Sequence, residues 1–216
     1  MANFSNWTLT KLKKRFELKP SLQLSETEAW QSVDYVISDF DKYFLDKMQA
    51  HLADNIFSWN EAELAQHFIG PLFTWANFTT ENSNIFHERS FGATVDGEEL
   101  SGEPDAIIAF GHDEPEKPYF CFQEYKKEIN PSGDAIGQCL AAMLAAQEIN
   151  EHKHPVYGIY VVGQNWYFMA LSGRVYSISP SFSAVSDEIY EIYQRLLWLK
   201  QTILGRIEGE LQARKK

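Results

Sequence analysis

Residues Ser101–Phe110, SGEPDAIIAF, and Tyr119–Glu128, YFCFQEYKKE, decide how the rest of the chain is read. Each contains a short apolar run rich in Ile or Phe and bounded by turn residues, the pattern of a strand. Between them Gly111–Pro118 is polar and carries two prolines, which suits a hairpin connection. Asp105 stands at the start of the first strand, and Glu124 and Lys126 at the end of the second. Side chains alternate along a strand, so Glu124 and Lys126 share a face with Phe120 and Phe122. A face that turns from Phe to Glu and Lys needs partners for its charges, because an unpaired buried charge is costly. Antiparallel pairing would bring Asp105 beside them. Two carboxylates and an ammonium at one point suit a hard divalent cation with oxygen ligands and a lysine beside a reacting group. In the plainer reading Asp105 caps a turn and Glu124 pairs with Lys126 on a solvated edge.

Pro104-Asp105, followed nineteen positions on by Glu124-Tyr125-Lys126, resembles the motif of the PD-(D/E)XK nuclease superfamily. Both parts fall on the strands of one hairpin, which gives this short pattern its weight. The resemblance implies a restriction-endonuclease-like fold, an α/β mixed β-sheet flanked by helices. It also implies a Mg²⁺- or Mn²⁺-dependent endonuclease or exonuclease. Asp105, Glu124 and the carbonyl of Tyr125 would hold the metal, and Lys126 would act on the attacking water or the developing charge.

Two further positions match on flanking helices. The run Glu63-Leu-Ala-Gln-His-Phe-Ile-Gly-Pro-Leu-Phe73 resembles the helix before the core sheet in superfamily members such as type I restriction subunits. There an upstream acid points into the active site and adds to the metal shell. Glu63 matches it, with Glu61 as the fallback. Asn60 and Glu63 also have capping-box spacing, which accounts for Glu63 without catalysis. Gln138, on the helix after the Glu-x-Lys strand, matches a glutamine that faces the superfamily's site; a solvent-facing glutamine is the alternative.

The order around the hairpin fits that core. Thr8–Phe16 forms a short basic helix closed by Pro20, whose Lys11, Lys13, Lys14 and Arg15 suit either phosphate or solvent. Ser25–Glu28 has capping-box spacing, and Trp30, Val33, Ile37, Phe40 and Phe44 recur at helical period, predicting a helix over 26–49. A second helix is expected from Ser58 to Phe73, interrupted by Pro71. A first strand and a turn follow over 85–100. After the hairpin come a helix over 135–150, strands at 156–162, 166–171 and 174–178, and a long amphipathic helix from Ile189 to the basic end of the chain. We read residues 1–57 as an N-terminal helical extension and 58–216 as the nuclease-like domain with its C-terminal helix. The superfamily resemblance covers 58–175. It extends to a bacterial group with this Gly-Gln helix and a Tyr-Gly…Trp-Tyr-Phe hairpin.

Composition sets the limits. With 44% hydrophobic and 23% charged residues in 216, the chain has ordinary globular proportions. No apolar run approaches a membrane span, and no apolar signal segment opens the chain, so no membrane partner and a cytoplasmic location are expected. Cys121 and Cys139 lack zinc spacing and a disulfide framework and read as buried apolar residues in a reducing compartment. His152 and His154 flank Lys153 in a loop and suggest no metal site. The net charge of −11 weighs against long-range attraction to duplex and calls for basic residues gathered on one face. Nucleic acid, DNA in preference to RNA, is the partner the resemblance implies. The acidic charge also fits a non-catalytic binding subunit, a homodimer or a larger defence or repair assembly.

Overall fold

The decisive hairpin lies inside an eight-stranded mixed sheet. A computed structural model describes residues 2–21, 29, 30, 33, 35–126 and 134–214, with 117–126 as backbone. Its strands are β1 (Ala2–Asn3), β2 (Lys19–Pro20), β3 (Ser83–His87), β4 (Phe91–Val95), β5 (Glu98–Gly102), β6 (Ala106–Phe110), β7 (Glu116–Lys126), β8 (Val156–Val162), β9 (Asn165–Ser172), β10 (Val175–Ile178) and β11 (Phe182–Ser183). The large sheet runs β2-β10-β9-β8-β7-β6-β3, with β11 added on β9, and β1-β5-β4 form a small second sheet. The helices are α1 (Leu9–Phe16), α2 (Asp39–Asn55), α3 (Glu61–Leu64), α4 (Gly70–Ala76), α5 (Ala135–Ile149) and α6 (Glu188–Arg214). The protein is therefore mixed α/β. Among the described residues no helix is long and apolar enough to cross a membrane.

Strand alternation divides the core in two. Along β8, Tyr157, Ile159 and Val161 join the cluster that holds residues of α2, α3, α4 and α6. Val156 and Tyr160 join the other, with α5 and α1. Along β6, Ile108 and Phe110 take the first side and Ile107 and Ala109 the second. Helix α5 has Leu140, Ala141, Met143, Leu144 and Ala145 all buried, because the large sheet lies on one side of it and Val95, Leu100 and Phe4 on the other. A helix apolar all round is stable only when covered all round. Its approach to β8 is close. A Cβ on Gly158 would stand 2.6 Å from the Met143 sulfur and 2.8 Å from that of Cys139.

Strand β7 is the joint between the antiparallel and parallel parts, antiparallel to β6 and parallel to β8. The connection from β7 to β8 carries α5, as a parallel crossover requires. Near its start β7 breaks register, pairing Tyr119 with Ala109 and then Glu116 with Phe110. The irregularity takes up Pro118, which has no N–H for a ladder.

Three expectations change. The helix predicted over 26–49 instead gives α2 a fresh start at Asp39, because Ser38 and Asp41 close a reciprocal capping box. Phe40, read as core-facing, is 67% exposed and lies against Trp75 at 5.4 Å between ring centroids. The Ser25–Glu28 spacing falls outside the described residues. Residues 85–100 supply β3, β4 and most of β5 rather than one strand, since Asp96-Gly97 folds β4 onto β5 with Val95 opposite Glu98. Of the first 57 residues, α1 and α2 are helical as expected, but β1 and β2 join one sheet each.

Candidate functional site

The β6–β7 ladder pairs Ile108 with Cys121, Ile107 with Phe122 and Ala106 with Gln123. One step further the same register sets Asp105 across from Glu124. β7 continues past that point, and Glu124, Tyr125 and Lys126 ladder with Tyr160, Val161 and Val162 of β8. On the other edge β6 has already begun at Ala106, so among the described residues these last three positions are paired on one side alone. Asp105 is half-buried in the bend that enters β6. Its carbonyl accepts the Glu88 N–H at 3.3 Å and lies 3.2 Å from His87 Nδ1, which ties the bend to the end of β3.

Register also selects the sheet face. Ile107, two residues after Asp105, and Tyr160, the ladder partner of Glu124, both pack in the α5 cluster. Positions 105 and 124 thus belong to the face that α5 covers. Tyr160 is 4% exposed and stacks on Tyr167 of the neighbouring strand, with rings 4.4 Å apart and only 4° from parallel. Burial first, and then the neighbouring Tyr167, Cys139 and Asp134, hold its hydroxyl well above the ordinary tyrosine range.

The first turn of α5 stands over this face. Asp134 is its N-cap, with Oδ1 accepting the Gly137 N–H at 2.8 Å and Oδ2 accepting the Leu9 N–H of α1 at 2.7 Å. Gly137 makes room for that contact. A Cβ there would lie 2.3 Å from the Trp7 carbonyl oxygen and 2.7 Å from the Thr8 Cα, backbone atoms that cannot swing aside. Gln138 follows, half-buried in the same turn.

Glu63 lies elsewhere. It opens α3, whose Leu64 packs in the cluster on the other side of the sheet. Its Oε2 accepts the Asn60 N–H at 2.8 Å while Asn60 Oδ1 accepts the Glu63 N–H at 2.9 Å, so the carboxylate closes its own helix cap. Glu61 is exposed on the same turn. Asp105 and the backbone of Glu124–Lys126 thus lie at the end of the β6–β7 ladder on the face that α5 covers, Gln138 is in the first turn of that helix, and Glu63 is in the opposite layer.

The donor set at the gathered positions fits a hard cation. Carboxylates at 105 and 124 and a main-chain carbonyl at 125 are all oxygen ligands, on a strand end with one unladdered edge. Among the described residues no three His, Cys, Asp or Glu side chains converge, and the side chain of Glu124 is outside them. Sequence reasoning passed over three neighbours of these positions. Tyr160 and Tyr167 sit on strands whose neighbouring residues are nearly all apolar, and Asp134 is signalled only by its place at a helix cap. A scan against protein-family models and a search of curated proteins both return no match.

Proposed function

We propose that the protein is a metal-dependent phosphodiesterase acting on nucleic acid, DNA in preference to RNA, with a restriction-endonuclease-like core. One observation carries the reading: the β6–β7 ladder closes with Ala106 opposite Gln123, so its register continued by one step sets Asp105 across from Glu124, where β7 is laddered to β8 alone among the described residues. The parallel β7-α5-β8 crossover beside that hairpin supports the same core. Asp105, Glu124 and the Tyr125 carbonyl would hold Mg²⁺ or Mn²⁺. Bound there, the ion would lower the pKa of a water and offset charge on the scissile phosphate. The Lys126 ammonium stabilises the charge that grows on the phosphoryl oxygens. Gln138 orients the water through a hydrogen bond. The water would give up a proton to solvent as its oxygen forms the new P–O bond, the ester P–O bond would break, and the leaving oxygen would take up a proton from solvent. Glu63, engaged by Asn60, has no part in this scheme.

The test is nicking of supercoiled plasmid by pure protein at low salt with Mg²⁺ or Mn²⁺. Wild type should nick, EDTA should stop it, and both Asp105→Asn and Lys126→Ala should abolish it. Equal cleavage by all three proteins, or none on duplex, single strand or RNA with either metal, overturns the reading.

A further inference from the structure

We propose that α1 and the residues leading into β2 form the surface that docks the sugar–phosphate backbone of the nucleic-acid strand, a role that rests on the nuclease reading for its substrate. Five of the chain's 19 lysines and arginines stand between Lys11 and Lys19, against one acid, Glu17. In a chain of net charge −11, this is a local reversal of sign, and polyanion binding depends on such local gathering.

The fold keeps the segment positive. Two carboxylates of the β4–β5 turn reach toward the segment, and they pair with arginines, one of them the segment's own Arg15, rather than with its lysines. Arg15 Nε lies 3.3 Å from Glu98, and an Arg174 nitrogen lies 2.7 Å from each Asp96 carboxylate oxygen. Lys13, Lys14 and Lys19 are exposed, and none of their ion pairs falls among the described residues. With Thr10, Glu17 and Leu18 they line an open groove of about 530 Å³. Leu12 and Phe16 point the other way and are fully buried, so the helix is anchored by its apolar side and presents its lysines outward.

The fold also fixes the segment at both ends. The Leu9 N–H is held by Asp134, the cap of α5, the helix whose first turn carries Gln138. At its other end the chain joins the sheet edge, where Lys19 pairs with Val175 of β10. Over its eight residues α1 spans about 12 Å, the reach of about three to four phosphates of one strand.

The test separates binding from cleavage. Anisotropy of a fluorescein-labelled oligonucleotide is measured in EDTA, with wild type, Lys13→Gln/Lys14→Gln, Lys13→Glu/Lys14→Glu and Asp105→Asn. Circular dichroism melting checks that the exposed substitutions leave the fold intact. Neutralising the two lysines should weaken binding about 10–50-fold at 0.1 M salt and reduce the salt slope by about 1.4–1.8, with reversal weaker still. Asp105→Asn reports in the same titration how much of the affinity comes from the cleavage site and not from the lysines. Equal affinity in wild type and both lysine variants overturns the docking surface and leaves the nuclease reading to the plasmid assay. Lysine-dependent binding without metal-dependent cleavage overturns the nuclease reading and leaves the surface standing. Binding by wild type to phosphatidylserine vesicles but not to the oligonucleotide also overturns the proposal.

Discussion

The carboxylate of Asp134 accepts the backbone N–H of Leu9 at 2.7 Å across 125 residues of sequence. Its other oxygen caps α5 through Gly137. Asp134→Ala removes both contacts. The cap accounts for about 1 kcal/mol and the hydrogen bond from Leu9 to a charged acceptor for about 1.5–3 kcal/mol. Urea unfolding should show a loss of about 2.5–4 kcal/mol, and Asp134→Asn, which keeps one acceptor, a smaller one.

Metal should stabilise the folded protein if positions 105 and 124 share an ion. At ten times the dissociation constant the gain is about 1.4 kcal/mol, or about 3–6 °C in melting temperature for a chain of this size. Lys126→Ala should keep the shift and Asp105→Asn should lose it, because in the proposed site the carboxylate would be a ligand and the ammonium would not. A wild-type melting curve unmoved by millimolar Mg²⁺ and Mn²⁺ counts against the site.

Asp41 makes the start of α2 sensitive to acid. Burial alone would raise its pKa, but the Ser38 hydroxyl at 2.6 Å and the Trp75 indole N–H at 2.9 Å outweigh it, and the value is lowered. A carboxyl lowered in the fold contributes stability above its ordinary value of 3.8 and loses it as pH falls through the folded value. The urea midpoint gap between wild type and Asp41→Asn should be flat from pH 7 to about 4 and close below that.

Tyr160 carries the opposite sign at the alkaline end. Its raised pKa means that folding favours the neutral phenol, so its contribution is complete below about pH 10 and lost as pH climbs toward the folded value. Tyr160→Phe should match wild type within about 1 kcal/mol at pH 8. It should then melt higher than wild type at pH 11. Equal melting temperatures at both pH values would show that the ring is not buried as described.

Much of this architecture is written in local pattern. The β6–β7 and β8–β9 hairpins, α5 and α6 follow from apolar runs and turn residues, and the β6–β7 ladder ends one step short of Asp105 and Glu124, with Ala106 opposite Gln123. What sequence could not carry is non-local. β1 and β2 have two residues each and acquire meaning only from parallel partners far along the chain. The two faces of β8 are both apolar, so no alternation marks Tyr160 as the residue beside Glu124. Glu63 shows the limit most plainly, since the same Asn-x-x-Glu spacing served two readings and the observed geometry is that of the cap.

The pairing of Lys19 with Val175 has a temporal side. While the chain is being synthesised, the basic segment has neither β10 nor Asp134 to settle on. Translation advances at about 5–20 residues per second, so the wait from Lys19 to Val175 is about 8–30 s. For that interval Leu12 and Phe16, the apolar side of α1, lack the part of their core that β10 supplies through Tyr176. The lysines beside them then act as gatekeepers, keeping the nascent segment soluble until its sheet edge arrives.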